Sequence, residues 1–305
     1  MVRGGLFVIW VFAALACGDS ADEGSTSTQG DDSDADSGSG SGSGSGSEST
    51  APTSTGGSSM TSTTGDAPDG MVPVQAGSFL MGCEMGVDAE CSAAAAPSHQ
   101  VLLDGFFVDM TEVTVARYRD CVDDGGCLAP ELTGDACNWD VAGRNEHPVN
   151  CVTWAQAQTF CGWDGKSLLT EAQWEKAARG DDARAYPWGA DVVTCERAII
   201  ADESGDGCGS GTTVTVGSRP SGASPYGALD MAGNVLEFVA DWYAAEYYAV
   251  SPDENPLGPV AGSFHVARSS AFTMAQTVQS RTWKRWAATE DATPDRYGFR
   301  CGKPM

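Results

Sequence analysis

Cysteine is the residue type with the most chemistry to offer in this 305-residue chain, which has eleven of them. Cys17 stands apart, directly after Ala14-Leu15-Ala16. The other ten are Cys83, Cys91, Cys121, Cys127, Cys137, Cys151, Cys161, Cys195, Cys208 and Cys301. An even set in an exported chain reads as a disulfide framework. Short loops favour Cys83–Cys91, Cys121–Cys127 and Cys195–Cys208, and leave the rest of the connectivity open. Zinc is the competing use of such residues. It is disfavoured because there is no C-x-x-C pair and only three histidines, His99, His147 and His265, lie scattered along the chain. Each histidine is expected to be a hydrogen-bonded structural residue. No spacing pairs a serine, cysteine or histidine nucleophile with a base. Trp139, Trp154, Trp163, Trp174, Trp188, Trp242, Trp283 and Trp286 could line a sugar-binding groove, although large rings mostly serve the core.

The ends say where this chemistry is used. Residues 4–16 are apolar or glycine and finish in small residues. They are expected to form a signal peptide (1–16), since the run is too short to span a bilayer. Ala14-Leu15-Ala16-Cys17 reads as a bacterial lipobox, which makes Cys17 a lipidation site and the membrane a partner through the lipid anchor. Asp19, second after the cysteine, is compatible with delivery to the outer membrane of the cell envelope. Residues 17–70 read as a disordered tether: from residue 18 they hold ten Asp or Glu, no Lys or Arg, and a Gly-Ser alternation. Residues 71–305 form the folded part, with 32 acidic and 16 basic residues. A formal charge of −16 excludes a nucleic-acid footprint and suits a solvated extracytoplasmic surface. A monomer is expected.

The elements that must position these residues are short. MVPVQAGSFLMG (71–82) reads as a strand with a turn, and HQVLLDGFFVDM (99–110) as two strands around Asp104-Gly105. Thr111 is the expected cap of a helix over 112–123, with Glu112 in its first turn. A second helix is expected over 153–163 behind Thr153. A third follows the capping box Thr170-x-x-Gln173 and ends at Gly180. From 181 to 300 glycine and proline recur, strands are short and aromatics dense, so an α+β domain with low regular secondary structure is expected.

Seven motifs in one order add a resemblance. They are GSFLMG, PSHQVLLDGF with EVTVARY, HPVNCVTWAQAQTFCGW, TEAQWEKAARG, YPWG, SPYGALDMAGNVLEFVADWY and YGFRC. Together they cover nearly all of 71–305 and resemble the formylglycine-generating enzyme, or sulfatase-modifying factor, family. The resemblance implies that family's C-type-lectin-like fold. It also implies a cystine between Cys161 and Cys301. A second family cystine would fall at Ala178 and near Trp286, so both partners are absent.

The family's enzymes oxidise a substrate cysteine to formylglycine, with copper(I) held by two thiolates, a soft donor set suited to that ion. The matching positions fall at Met274 and near Gln279, and no cysteine occurs from Gly209 to Arg300. Copper is therefore not expected, nor catalytic residues of the family kind. Glu237, in a Leu-Glu-Phe that replaces the family's W-E-W, is expected to hold loops rather than to act as a base. Calcium is the expected ion, at Asp230 with the carbonyls of Met231, Gly233 and Val235. A second family calcium site starts near Ile199, whose side chain cannot ligate, leaving Asp202 or Asp206 to compensate. The expectation is a noncatalytic, surface-tethered binding module, a pseudoenzyme whose groove around 264–286 holds a peptide or glycan. Two alternatives stand: a family-related oxidoreductase with an altered active site, and a structural envelope lipoprotein. Iron-dependent relatives exist, but they need a histidine cluster.

Overall fold

The alternating start of the domain becomes two strands, β1 (Met71–Val74) and β2 (Gly77–Met81), and they diverge into different sheets. The computed structural model describes residues 67–275, 277–289 and 294–305. The signal peptide, Cys17 and the tether up to residue 66 lie outside the described residues. No described helix is long and apolar enough to cross a membrane.

β2 pairs only with β3 (His99–Leu103), with Gly77 opposite Leu103. β1 lies antiparallel to β4 (Phe106–Asp109), and β4 lies antiparallel to β10 (Cys301–Pro304). β10 in turn pairs with the two-residue β5 (Ser167–Leu168). The two ends of the domain thus share one four-stranded sheet, β1-β4-β10-β5. The other four-stranded sheet has the order β8 (Trp286–Ala287), β7 (His265–Arg268), β6 (Leu236–Trp242), β9 (Tyr297–Phe299), in which β6 and β9 are parallel.

Three helices lie against these sheets. α2 (Trp154–Trp163) and α3 (Glu171–Arg179) start at Thr153 and Thr170, each with a reciprocal capping box to the glutamine three residues on. Gly180 closes α3 at φ 71°, and a Cβ there would sit 2.7 Å from Pro225 Cγ, so glycine is needed on both counts. α1 (Val115–Asp123) corrects the expectation for its start. Its cap is Thr114, whose hydroxyl accepts the Arg117 N–H, not Thr111. Val113 instead spends its backbone on strand-like bonds, donating to Phe299 O and accepting from Val149 N–H. Glu112 is therefore no first-turn residue; it is fully buried ahead of the helix.

One apolar cluster joins α1 and α2 to the β6–β9 face, with Tyr118 stacked on Phe160 at 5.5 Å and Phe238 on Tyr297 at 5.2 Å. A second gathers Phe79, Phe106, Trp174, Val239 and Val266 between the sheets and α3. Five disulfides join all ten cysteines of this region: Cys83–Cys91, Cys121–Cys127, Cys137–Cys151, Cys161–Cys301 and Cys195–Cys208.

Candidate functional site

The capping box of α3 sets its rotation, and that rotation sends Glu171, Trp174, Glu175 and Arg179 inward. Charges buried this deeply must be paired. Arg268, at the end of β7, donates from Nη1 to Glu171 Oε1 at 2.8 Å and from Nη2 to Glu175 Oε2 at 2.9 Å, and lies over the Trp174 ring. It also reaches Thr282 O. Arg285 grips both Glu171 oxygens at 2.7 and 2.8 Å. Glu175 accepts the Gly82 N–H and pairs with Arg179. The two arginines hold the Glu171 carboxyl below its ordinary range despite its burial.

A second buried group surrounds the turn before β6. Glu237 accepts from Arg300 through both oxygens, at 2.7 and 2.8 Å, and from Trp174 Nε1 at 2.8 Å. With its lone pairs committed in this way it holds three segments together and has no free oxygen for a base. Asp230 and Asn234 both take left-handed backbone, at φ 58° and 62°. Between them Gly233 passes so close to Ile199 that a Cβ would lie 2.6 Å from that residue's backbone N and O. Asp230 accepts the Gly217 N–H at 2.5 Å. Asn234 Nδ2 donates to Glu112 Oε2 at 3.2 Å. Burial, then the charges of Asp230 and Glu237, push the Glu112 carboxyl well above the carboxylate range, and burial raises Asp230 too. Glu112 is thus held as the neutral acid, and its hydrogen bond to Asp230 partly offsets the rise of that carboxyl. Sequence reasoning missed Glu112 as a member of this cluster. The signal was an acid set among Val113, Val115 and the other inward residues of EVTVARY.

The positions matching the family's cysteine pair hold no thiolate. Met274 is half-buried against the first apolar cluster, and its sulfur accepts the Ala271 N–H at 3.4 Å. Gln279 lies in a 3-10 turn, Thr277–Ser280. The Ser270 and Ser280 hydroxyls, 2.7 Å apart, tie that turn to the end of β7. Since every described cysteine is in a disulfide, no free thiol stands near. The donor set does not fit copper(I).

The remaining candidates are dispersed. His265 lies between Trp154 and Trp242, with ring centroids 3.6 and 3.7 Å away. His147 Nδ1 meets Thr213 Oγ1 at 3.0 Å, and His99 sits against Tyr248. Among the described residues, no group of three or more His, Cys, Asp or Glu is arranged to hold a metal ion. Ile199 is buried and uses its backbone on Asn234, and Asp202 accepts the Ser204 N–H. The tryptophans form no single row: Trp174 and Trp283 are buried, whereas Trp163 is 38% exposed on α2.

These features define a class: an α+β domain with short strands and long irregular loops, closed by disulfides and organised around buried Arg-Glu pairs. The chain belongs to the sulfatase-modifying factor enzyme 1-like domain family, which matches residues 57–304. The formylglycine-generating enzyme of Streptomyces coelicolor is 32% identical over 284 residues, covering 76% of this chain and 88% of that one. The serine/threonine-protein kinase pkn1 of Chlamydia caviae is 32% identical over 252 residues, and this chain spans 38% of its length. Among solved structures, PvdO from Pseudomonas aeruginosa superposes with a TM-score of 0.65 at 24% identity, over 77% of this chain and 94% of that one.

Proposed function

We propose that this protein is a noncatalytic binding module on the sulfatase-modifying scaffold, tethered to the envelope surface through Cys17 and holding a peptide or glycan on the face around 264–286. The observation that carries the reading is that no thiolate stands at the positions matching the family's copper ligands. Met274 spends its sulfur on a backbone N–H, and all ten described cysteines are disulfide-bonded. A thioether and an amide do not replace two thiolates as copper(I) ligands. The test is copper titration with oxygen consumption on a cysteine-containing peptide. No turnover above the copper blank is expected, and turnover typical of the family's enzymes would overturn the reading in favour of the oxidoreductase alternative.

Calcium is proposed at the turn before β6. What supports the reading is the buried Glu112–Asp230 pair beside a turn whose Asp230 and Asn234 take left-handed backbone. Glu112 and Asp230 would hold the ion together with the carbonyls of Met231, Gly233 and Val235. Its chemistry there is to neutralise the two buried carboxylates and fix the turn. Calorimetric titration of the EDTA-treated protein should show one binding event, lost in Glu112→Gln.

A further inference from the structure

A cavity of about 280 Å³ opens between the C-terminal turn of α1 and the first half of α2. Its walls are Tyr118, Cys127, Leu128, Ala155, Gln156 and Thr159, with the Gly125–Gly126 backbone at its edge. The polar groups in it are already satisfied. Tyr118 Oη donates to Leu128 O, Thr159 Oγ1 to Ala155 O and Gln156 Nε2 to Ala129 O, and Gln156 Oε1 accepts the Thr153 N–H. The cavity thus offers an incoming group apolar contact rather than unmet hydrogen bonds, and its size suits one large side chain. Leu128, at its wall, is 70% exposed. Gly126 lies so close to Trp163 that a Cβ would come within 2.4 Å of the indole. The Cys121–Cys127 disulfide, with Gly126 and Cys127 both donating to Cys121 O, holds this wall in place before anything binds.

The end of α1, next in sequence to the Gly125–Leu128 wall, is acidic. Asp120, Asp123 and Asp124 are exposed at the last turn of α1, where no basic residue accompanies them. The C-terminal end of a helix is its negative end, so three carboxylates there work against the helix. None of the three forms an ion pair among the described residues. Glu131 adds to the group: its charge, after burial, pushes the Tyr118 phenol up to about 12. The cations of α1 are engaged elsewhere, Arg117 with Asp109 and Asp164, Arg119 with Asp140.

We propose that this groove docks a cationic segment of a protein partner, with one apolar side chain in the cavity and flanking Lys or Arg against Asp120, Asp123, Asp124 and Glu131. The chain's own tether is unsuited, since residues 18–70 hold ten acids and neither Lys nor Arg. A second copy is unsuited as well, because the folded region carries −16. The groove shares no residue with the 264–286 face or the calcium turn, so the inference goes beyond the function proposed above and stands or falls apart from it.

The experiment is fluorescence anisotropy on the oxidised mature chain with labelled pentapeptides of sequence KKLKK, KKGKK and EELEE. KKLKK should bind at least about tenfold more tightly than KKGKK, and EELEE should not bind. Raising the salt should weaken KKLKK severalfold. Asp123→Asn with Asp124→Asn should weaken it about fivefold or more. Ala155→Trp and Thr159→Lys, both at exposed positions of α2, should each abolish it by filling or repelling at the opening. Equal affinity for KKLKK and KKGKK would mean diffuse charge attraction and would overturn the proposal. So would unchanged binding by either folded α2 variant, or no KKLKK binding at about 1 mM peptide.

Discussion

Arg268 holds a full positive charge in a place with no access to water. Its two carboxylate partners make that state tolerable, and the arrangement cuts both ways. Arg268→Met removes the cation that Glu171 and Glu175 share, and is expected to destabilise the domain by about 3–5 kcal/mol in urea unfolding. Asp241 lies at the edge of the same network and accepts the Glu171 N–H at 2.7 Å. Burial, then the Glu171 charge, push its carboxyl up to about 7. Because the folded value lies above the ordinary one, the stability this group gives is complete below about pH 4 and is lost as the pH rises through about 7. Wild-type stability relative to Asp241→Asn, which keeps an oxygen for the Glu171 N–H, should therefore fall across that window. An unfolding series from pH 4 to 8 reads it directly, and a constant difference would contradict the buried-acid account. None of this network was legible in the sequence. Glu171 and Arg268 stand 97 residues apart, and no local pattern announces that two distant charges will meet.

Elements were legible where a local signal decided them. The boxes at Thr153 and Thr170 satisfy helix N–H groups within four residues, so sequence and structure agree on both starts. Thr170→Ala is expected to cost about 1 kcal/mol, measured by thermal or urea unfolding, because α3 must keep its rotation to bury Glu171 and Glu175. The start of α1 was not legible for the opposite reason. Thr111 was the expected cap, and the cap falls to Thr114 because Val113 is held by Phe299 and Val149, segments far away in the chain. The cystines were legible in part. Pairs 6, 8 and 13 residues apart were favoured as short loops, whereas the Cys137–Cys151 pairing, 14 apart, was left open.

At the scale of the whole molecule, the seven ordered motifs carried the fold, and the gap in the cysteines carried the doubt about chemistry. What the motifs did not carry was the cluster at Glu112, whose importance appears only when Asp230 arrives beside it. The Cys161–Cys301 link spans 140 residues of sequence and joins α2 to the final strand. It follows that one protease cut anywhere between those two positions releases no fragment. Both halves stay tied, and the clipped protein should run as a single band on a gel until a reductant is added. A protein exposed to foreign peptidases would in this way outlive its first cleavage.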